Sequence, residues 1–331
     1  MGQELSRLVT LEEGAKLIAQ HWPKVEVETV PLAQAWRRVL ALPARAQDAV
    51  PGFDRATVDG FAVRARDTFG ASESLPAYLT LVGRVSMGEK PAFALAGNEP
   101  VAAAIATGGM LPAGADAVVM VEHTEPMEGG QIAVLRPVAP GENVIARGED
   151  AEMGQVLFET GHRLRPQDLG LLAACGVTSV QVRAFPRVGI ISTGDELVTP
   201  DRAPGPGQVR ELNSYVLAGL VQAGGGIPKF YGIVGDSREA LAQAVGQASL
   251  ENHLVLLSGG SSVGTRDWTY QVLDELTGGG ILFEGLAIHP GKPTIAAAPR
   301  KQAPGQAGLL IGLPGHPVSA MVVFKLLLAP L

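Results

Sequence analysis

Asp195 and Glu196 follow the apolar run VGIIST, Asp236 follows KFYGIVG, and Asp267 follows LVLLSGGSSVGTR. Carboxylates at the ends of neighbouring strands suit a hard divalent cation such as Mg2+, which takes oxygen ligands and shares them with phosphate. The run SGGSSVG offers Ser258, Gly259, Gly260, Ser261 and Gly264. Glycines let backbone N–H groups approach an anion, and a helix opening near Asp267 adds its positive end. This loop lacks the GK[ST] ending of a P-loop and the spacing of a dinucleotide fingerprint. Lys292, in the Pro-bounded turn HPGKPT, suits a phosphate or oxyanion. GLPGHPVSA repeats the design, with Pro314, Gly315 and Ser319 at a strand-to-helix turn. Such junctions gather along one edge of a parallel sheet, where open α/β sheets bind ligands. They point to one site for a large phosphorylated ligand with a metal. Other readings stay open: Asp195 and Asp236 also suit helix caps, Ser237 is a cap candidate beside Asp236, and His316 suits a structural role.

The first half adds three pieces. PGFDRATVDGFA sets Asp54, Arg55 and Asp59 beside two Phe residues. ATGGM places Thr107 before two glycines, which a tight hairpin would equally require, and RGED ends on Asp150. The order of Ser, His and Asp makes no case for a nucleophilic triad.

The elements that position these residues are α/β from about residue 187 onward. Strands are predicted near 188–192, 229–234, 254–258, 281–288, 294–298 and 309–312, and helices near 213–223, 237–248, 267–276 and 317–328. This alternation predicts a doubly wound, mostly parallel sheet covered on both faces. Short β runs between 53 and 147, separated by Gly, Pro and Asn, predict a β-rich domain. Residues 1–52 and 148–183 are expected to form a segmented, elongated linker domain, and 184–331 the α/β domain. Thr10 with Glu13 marks a capping box for a helix over 10–21, LAQAWRRVLA reads as a short helix, and Pro166 and Gly176 bound another.

The net charge of −7 argues against a nucleic-acid partner, which needs a basic field. A single cysteine, Cys175 in the apolar run GLLAACGV, excludes an intrachain disulfide and reads as a small buried side chain. The N-terminus does not resemble a signal peptide, and VSAMVVFKLLLAPL is too short to span a bilayer and carries Lys325. No membrane association and a cytoplasmic location are therefore expected.

PGFDRATVDGFA, ATGGMLPAGADAVVMVE, RGED, VGIISTGDELV, SGGSSVGTRDWT, HPGKP and GLPGHPVSA, in this order, resemble the blocks of the molybdopterin molybdenumtransferases, the MoeA and gephyrin E-domain family. The resemblance spans residues 51–321. It implies an enzyme of molybdenum cofactor biosynthesis that inserts molybdate into adenylylated molybdopterin, with Mg2+-dependent release of AMP. It implies catalytic roles for Asp59, Glu196, Asp267 and Lys292, and a metal held by Glu196, Asp236 and Asp267. Substrate binding would fall to Thr107, Asp150, Thr193, Gly194, Ser258, Gly259, Gly260, Ser261, Gly264, Pro314, Gly315 and Ser319. A homodimer is implied, its active site combining the β-rich domain of one subunit with the α/β domain of the other. A transient contact with the molybdopterin adenylyltransferase is a further expectation. The sequence departs from the family pattern at Arg55, where Asn is usual, and at His289, where Lys is frequent. The family's C-terminal β-domain, of roughly 70 residues, is expected to be absent. Three other readings compete: a molybdopterin-binding scaffold without catalysis, the adenylyltransferase itself, and a tungstate-inserting relative.

Overall fold

The structure is a computed structural model that describes residues 8–259, 265–300 and 307–330, with backbone alone for 265–267. The chain divides into two compact units, residues 29–182 and residues 1–28 with 183–331.

Within residues 29–182, a six-stranded sheet runs in the order Ala117–Met120, Gly60–Val63, Val101–Ile105, Ala77–Arg84, Gln131–Val134, Thr124–Met127. Its pairings are antiparallel except that between Ala77–Arg84 and Val101–Ile105. Alternating side chains supply two cores. Val63, Leu79, Val119, Ile132 and Val134 pack on one side, and Ala56, Ala62, Ile105 and Val118 on the other. Gly60 is required by close approach, since a Cβ there would lie 1.9 Å from the Val119 carbonyl oxygen.

The flanking segments 29–52 and 148–182 have their own core of Val30, Leu40, Leu164, Leu172 and Val182. Here LAQAWRRVLA departs from its predicted helix and forms only a 3-10 turn, Leu32–Gln34. Arg37 sits at φ 64°, a left-handed conformation that stops a helix, and its N–H donates to Leu164 O. Val39 and Leu40 then bridge to Arg163 and Val182 as extended chain, so long-range pairing outweighs local helix propensity. Cys175 is fully buried, and burial raises its thiol pKa, with Asp48 adding to the rise.

In the second unit the sheet order is Ile227–Val234, Arg187–Thr193, Leu254–Ser258, Leu309–Leu313, Ile295–Ala297, Ile281–Glu284. The first four strands are parallel, and Ile295–Ala297 runs against both its neighbours. The last strand stops at Glu284, short of its predicted end, because Gly285 turns the chain at φ 128° and Leu286 N–H donates to Lys292 O.

Six α-helices occur among the described residues: α1 (Leu11–Gln20), α2 (Pro166–Ala174, in the first unit), α3 (Asn213–Gly224), α4 (Arg238–Glu251), α5 (Thr265–Thr277) and α6 (Pro317–Val323). α1, α3 and α6 cover one face through Ile18, Leu217, Val221 and Val323. α4 and α5 cover the other through Leu241, Val245, Val272 and Leu273. The capping box of α1 is formed, with Glu13 N–H donating to Thr10 Oγ1 at 3.2 Å and Thr10 N–H donating to Glu13 Oε2 at 2.8 Å. α1 shares the core of the α/β unit, whereas the sequence grouped residues 1–52 with the linker; its apolar face is buried against Phe283 and Leu286. No helix of the described residues is long and apolar enough to cross a membrane.

Candidate functional site

The chain leaves strand Arg187–Thr193, adds Ile227–Val234 on one side, then crosses back to add Leu254–Ser258 on the other. The strand order reverses between Arg187–Thr193 and Leu254–Ser258, and at such a reversal the flanking loops part and open a crevice. Thr193 and Ser258 end these two strands. The loops are in close contact at their base, because a Cβ on Gly259 would lie 2.2 Å from Thr193 O, and φ there is 112°. The hydroxyl Oγ1 of Thr193 is buried and lacks a hydrogen-bond partner among the described residues. Beside it a shallow cleft is lined by Asp236, Ser237, Leu241, Trp268 and Thr269.

Two loops at this edge carry acids, Asp195 and Glu196 on one and Asp236 on the other. Gly194 sits at φ 148°, a backbone conformation that favours glycine, and the Glu196 carboxylate lies 2.6 Å from where a Cβ at 194 would be. Asp195 Oδ1 accepts from Asp236 N–H at 3.0 Å, so it ties the two loops rather than capping a helix. The cap of α4 is Ser237, whose Oγ accepts from Ala240 N–H at 3.2 Å. Asp236, released from capping, has its pKa raised, first by partial burial and then by the charges of Asp195 and Glu196. Such like-charge crowding is relieved by a bound cation. The donor set, all carboxylate oxygen, fits Mg2+ in kind. The described residues by themselves bring no group of three or more ligands together. The Asp267 carboxyl lies outside the described atoms; its backbone sits in the first turn of α5. Gly260, Ser261 and Gly264 lie outside the described residues.

Lys292 is exposed in its turn, with its carbonyl taken by Leu286 N–H at 3.0 Å and Thr294 N–H at 2.9 Å. His289 is exposed in the same turn, ahead of a cis bond to Pro290. Pro314 and Ser319 are buried, Ser319 in α6 after strand Leu309–Leu313, and Gly315 is half-buried. His316 is the residue before α6 and makes no side-chain cap bond.

Two polar residues escaped the sequence reading. Glu211, 5% exposed, accepts from Ser192 Oγ at 2.9 Å and Ser214 N–H at 2.8 Å. Asn213, opening α3, donates to Ser258 Oγ and to Gly315 O, both at 2.7 Å. ELNS offered only the signal of polar residues just before an apolar helical run, which any helix start shows.

The 29–182 unit carries a second cluster. Asp59 Oδ1 accepts from the N–H and the hydroxyl of Thr107, at 2.7 and 2.8 Å. These bonds, the backbone one foremost, lower its carboxyl pKa. Asp54 Oδ1 accepts from Arg147 N–H at 2.7 Å, and Asp150 N–H donates to Val50 O at 2.9 Å. Strand Arg55–Ala56 pairs with Val144–Ile145. The loops bearing Asp59, Thr107 and Asp150 are thus laced together, and all three residues are exposed.

Residues 9–176 match the family model for the MoeA N-terminal region (domain I and II), and residues 189–331 match a probable molybdopterin binding domain. A molybdopterin molybdenumtransferase of Nostoc sp. is 36% identical over 320 residues, covering 95% of this chain and 72% of that protein. The Bacillus subtilis protein of the same name is 35% identical, covering 98% and 74%. The crystal structure of a molybdopterin biosynthesis MoeA protein from Pyrococcus horikoshii superposes with a TM-score of 0.82 at 38% identity, over 98% of this chain and 79% of that one. Matched in both halves and along nearly its whole length, this chain belongs to the MoeA family of molybdopterin molybdenumtransferases.

Proposed function

We propose that this chain works in molybdenum cofactor biosynthesis, in the cytoplasm, taking adenylylated molybdopterin and molybdate, hydrolysing the phosphoanhydride link with water, releasing AMP and delivering molybdenum to the dithiolene. The observation that carries this reading is the set of acids and small hydroxyl and glycine residues at the reversal of strand order, with Thr193 Oγ1 beside them buried and without a hydrogen-bond partner among the described residues. Backbone N–H groups of the glycine-rich sequence Ser258 to Gly264 would, with the turn Pro314–Gly315 and Ser319, bind and orient the phosphorylated end of the substrate. Lys292 presents a positive charge to the oxyanion and to the charge that grows as AMP departs. Mg2+, held by Glu196, Asp236 and Asp267, would neutralise the pyrophosphate oxygens. Asp59, Thr107 and Asp150 belong to the neighbouring subunit's contribution in a homodimer. Asp59 stays ionised there because Thr107 stabilises its carboxylate. A transient contact with the adenylyltransferase would pass the substrate on.

The test is AMP release from adenylylated molybdopterin by the purified protein, with molybdate and Mg2+ each added or withheld. Release that requires both is expected. Tight ligand retention without AMP would overturn the transferase reading in favour of a binding protein, and ATP consumption would favour an adenylyltransferase.

A further inference from the structure

Asn213 comes from a segment 45 residues away in sequence from Ser258 and 102 from Gly315, yet one amide nitrogen reaches both at 2.7 Å. A backbone carbonyl only accepts, so the bond to Gly315 O fixes which end of the amide faces it. The oxygen Oδ1 is then left buried and without a partner among the described residues. The residue itself is held by its neighbours: Glu211 binds Ser192 Oγ and both the N–H and the hydroxyl of Ser214, fixing the first turn of α3. Among the described residues, what this side chain contributes is the pair of bonds its nitrogen makes. It holds the Ser258–Gly259 junction and the Pro314–Gly315 turn at a set distance. It also occupies Ser258 Oγ as an acceptor, which leaves the Ser258 proton to donate elsewhere.

We propose that Asn213 is a positioning residue of the transfer site, which acts through Ser258 and Gly315 to hold two substrate-binding loops in register. This rests on the function proposed above. The experiment is steady-state AMP release by the full chain and by Asn213→Ala, Asn213→Asp, Ser258→Ala and the Asn213→Ala/Ser258→Ala double variant. Asn213→Asp keeps the volume but has no donor for Gly315 O. Each single variant is expected to raise KM for adenylylated molybdopterin about tenfold with a much smaller change in kcat, and the double variant to do no more than either single one. Additive effects, or wild-type kinetics in Asn213→Asp, would overturn the proposal. Loss of folding in both Asn213 variants would also overturn it, by making the residue a determinant of stability alone. Should the unaltered chain release no AMP, the proposed function fails first. Affinity for adenylylated molybdopterin, read by pterin fluorescence, then decides the role of Asn213: about tenfold weaker binding in the variants supports it, and equal binding sinks it.

Discussion

At the scale of single residues, two aspartates are set for opposite ends. Asp59 accepts two hydrogen bonds from Thr107 through one oxygen, which favours its charged form. An Asn side chain offers an oxygen in the same place, so Asp59→Asn should leave the thermal midpoint nearly unchanged while turnover falls by at least tenfold. Paired melting curves and AMP-release rates check this. Asp236 is the reverse case, its pKa raised by burial and by Asp195 and Glu196. A raised carboxyl pKa means that the folded state holds the proton more tightly, so stability is lost as pH rises through the folded value. Asp236→Asn should therefore raise the melting temperature at pH 7, with the gain fading towards pH 3. Added Mg2+ should stabilise the unaltered chain more than the variant, because binding to the native state alone stabilises it. These acids were legible because strand, glycine and carboxylate recur in sequence. Which of them caps a helix was not legible, since Asp236 and Ser237 are adjacent and only the hydrogen bond to Ala240 N–H decides between them.

At the scale of elements, local signals survived where they were self-contained. Thr10 and Glu13 are three residues apart and made the predicted capping box. Pro166 opens α2 and Gly176 follows it at φ 79°. LAQAWRRVLA failed as a helix because its partners, Arg163, Leu164 and Val182, are more than a hundred residues away. The start of α2 depends on Asp168, 2% exposed, which accepts from the Arg165 N–H at 2.9 Å and guanidinium at 2.9 and 3.0 Å and lies 2.7 Å from His162 Nε2. The Arg165 bonds come first in holding its carboxyl well below the usual range, with His162 assisting and burial opposing. Asp168→Asn should cost roughly 2 kcal/mol of stability at pH 7. A depressed pKa contributes stability above the unfolded value and loses it as pH falls below about 4. The difference between variant and parent in chemical denaturation should accordingly shrink in acid; a gap that stays constant with pH would remove the charge from the explanation.

At the scale of the molecule, each unit presents its own acidic cluster, and the proposed homodimer joins one from each subunit. This has a direct consequence for mixtures. Asp59→Asn and Glu196→Gln, each inactive alone, should regain about a quarter of the parental activity after subunit exchange, since random pairing makes half of the dimers mixed and each mixed dimer holds one intact site. Recovery absent from exchanged mixtures would place both acids in one subunit's site. The family was legible because its blocks follow one another along the whole chain, whereas the grouping of residues 1–28 with the α/β core was not, because only the folded core shows what α1 packs against. The central claim is a coupled transfer, so the most direct measurement is a single turnover with adenylylated molybdopterin, molybdate and Mg2+, counting AMP released and molybdenum carried by the pterin product. The account predicts one of each, with both lost when molybdate is withheld. AMP released without molybdenum in the pterin, or no AMP at all, would contradict it.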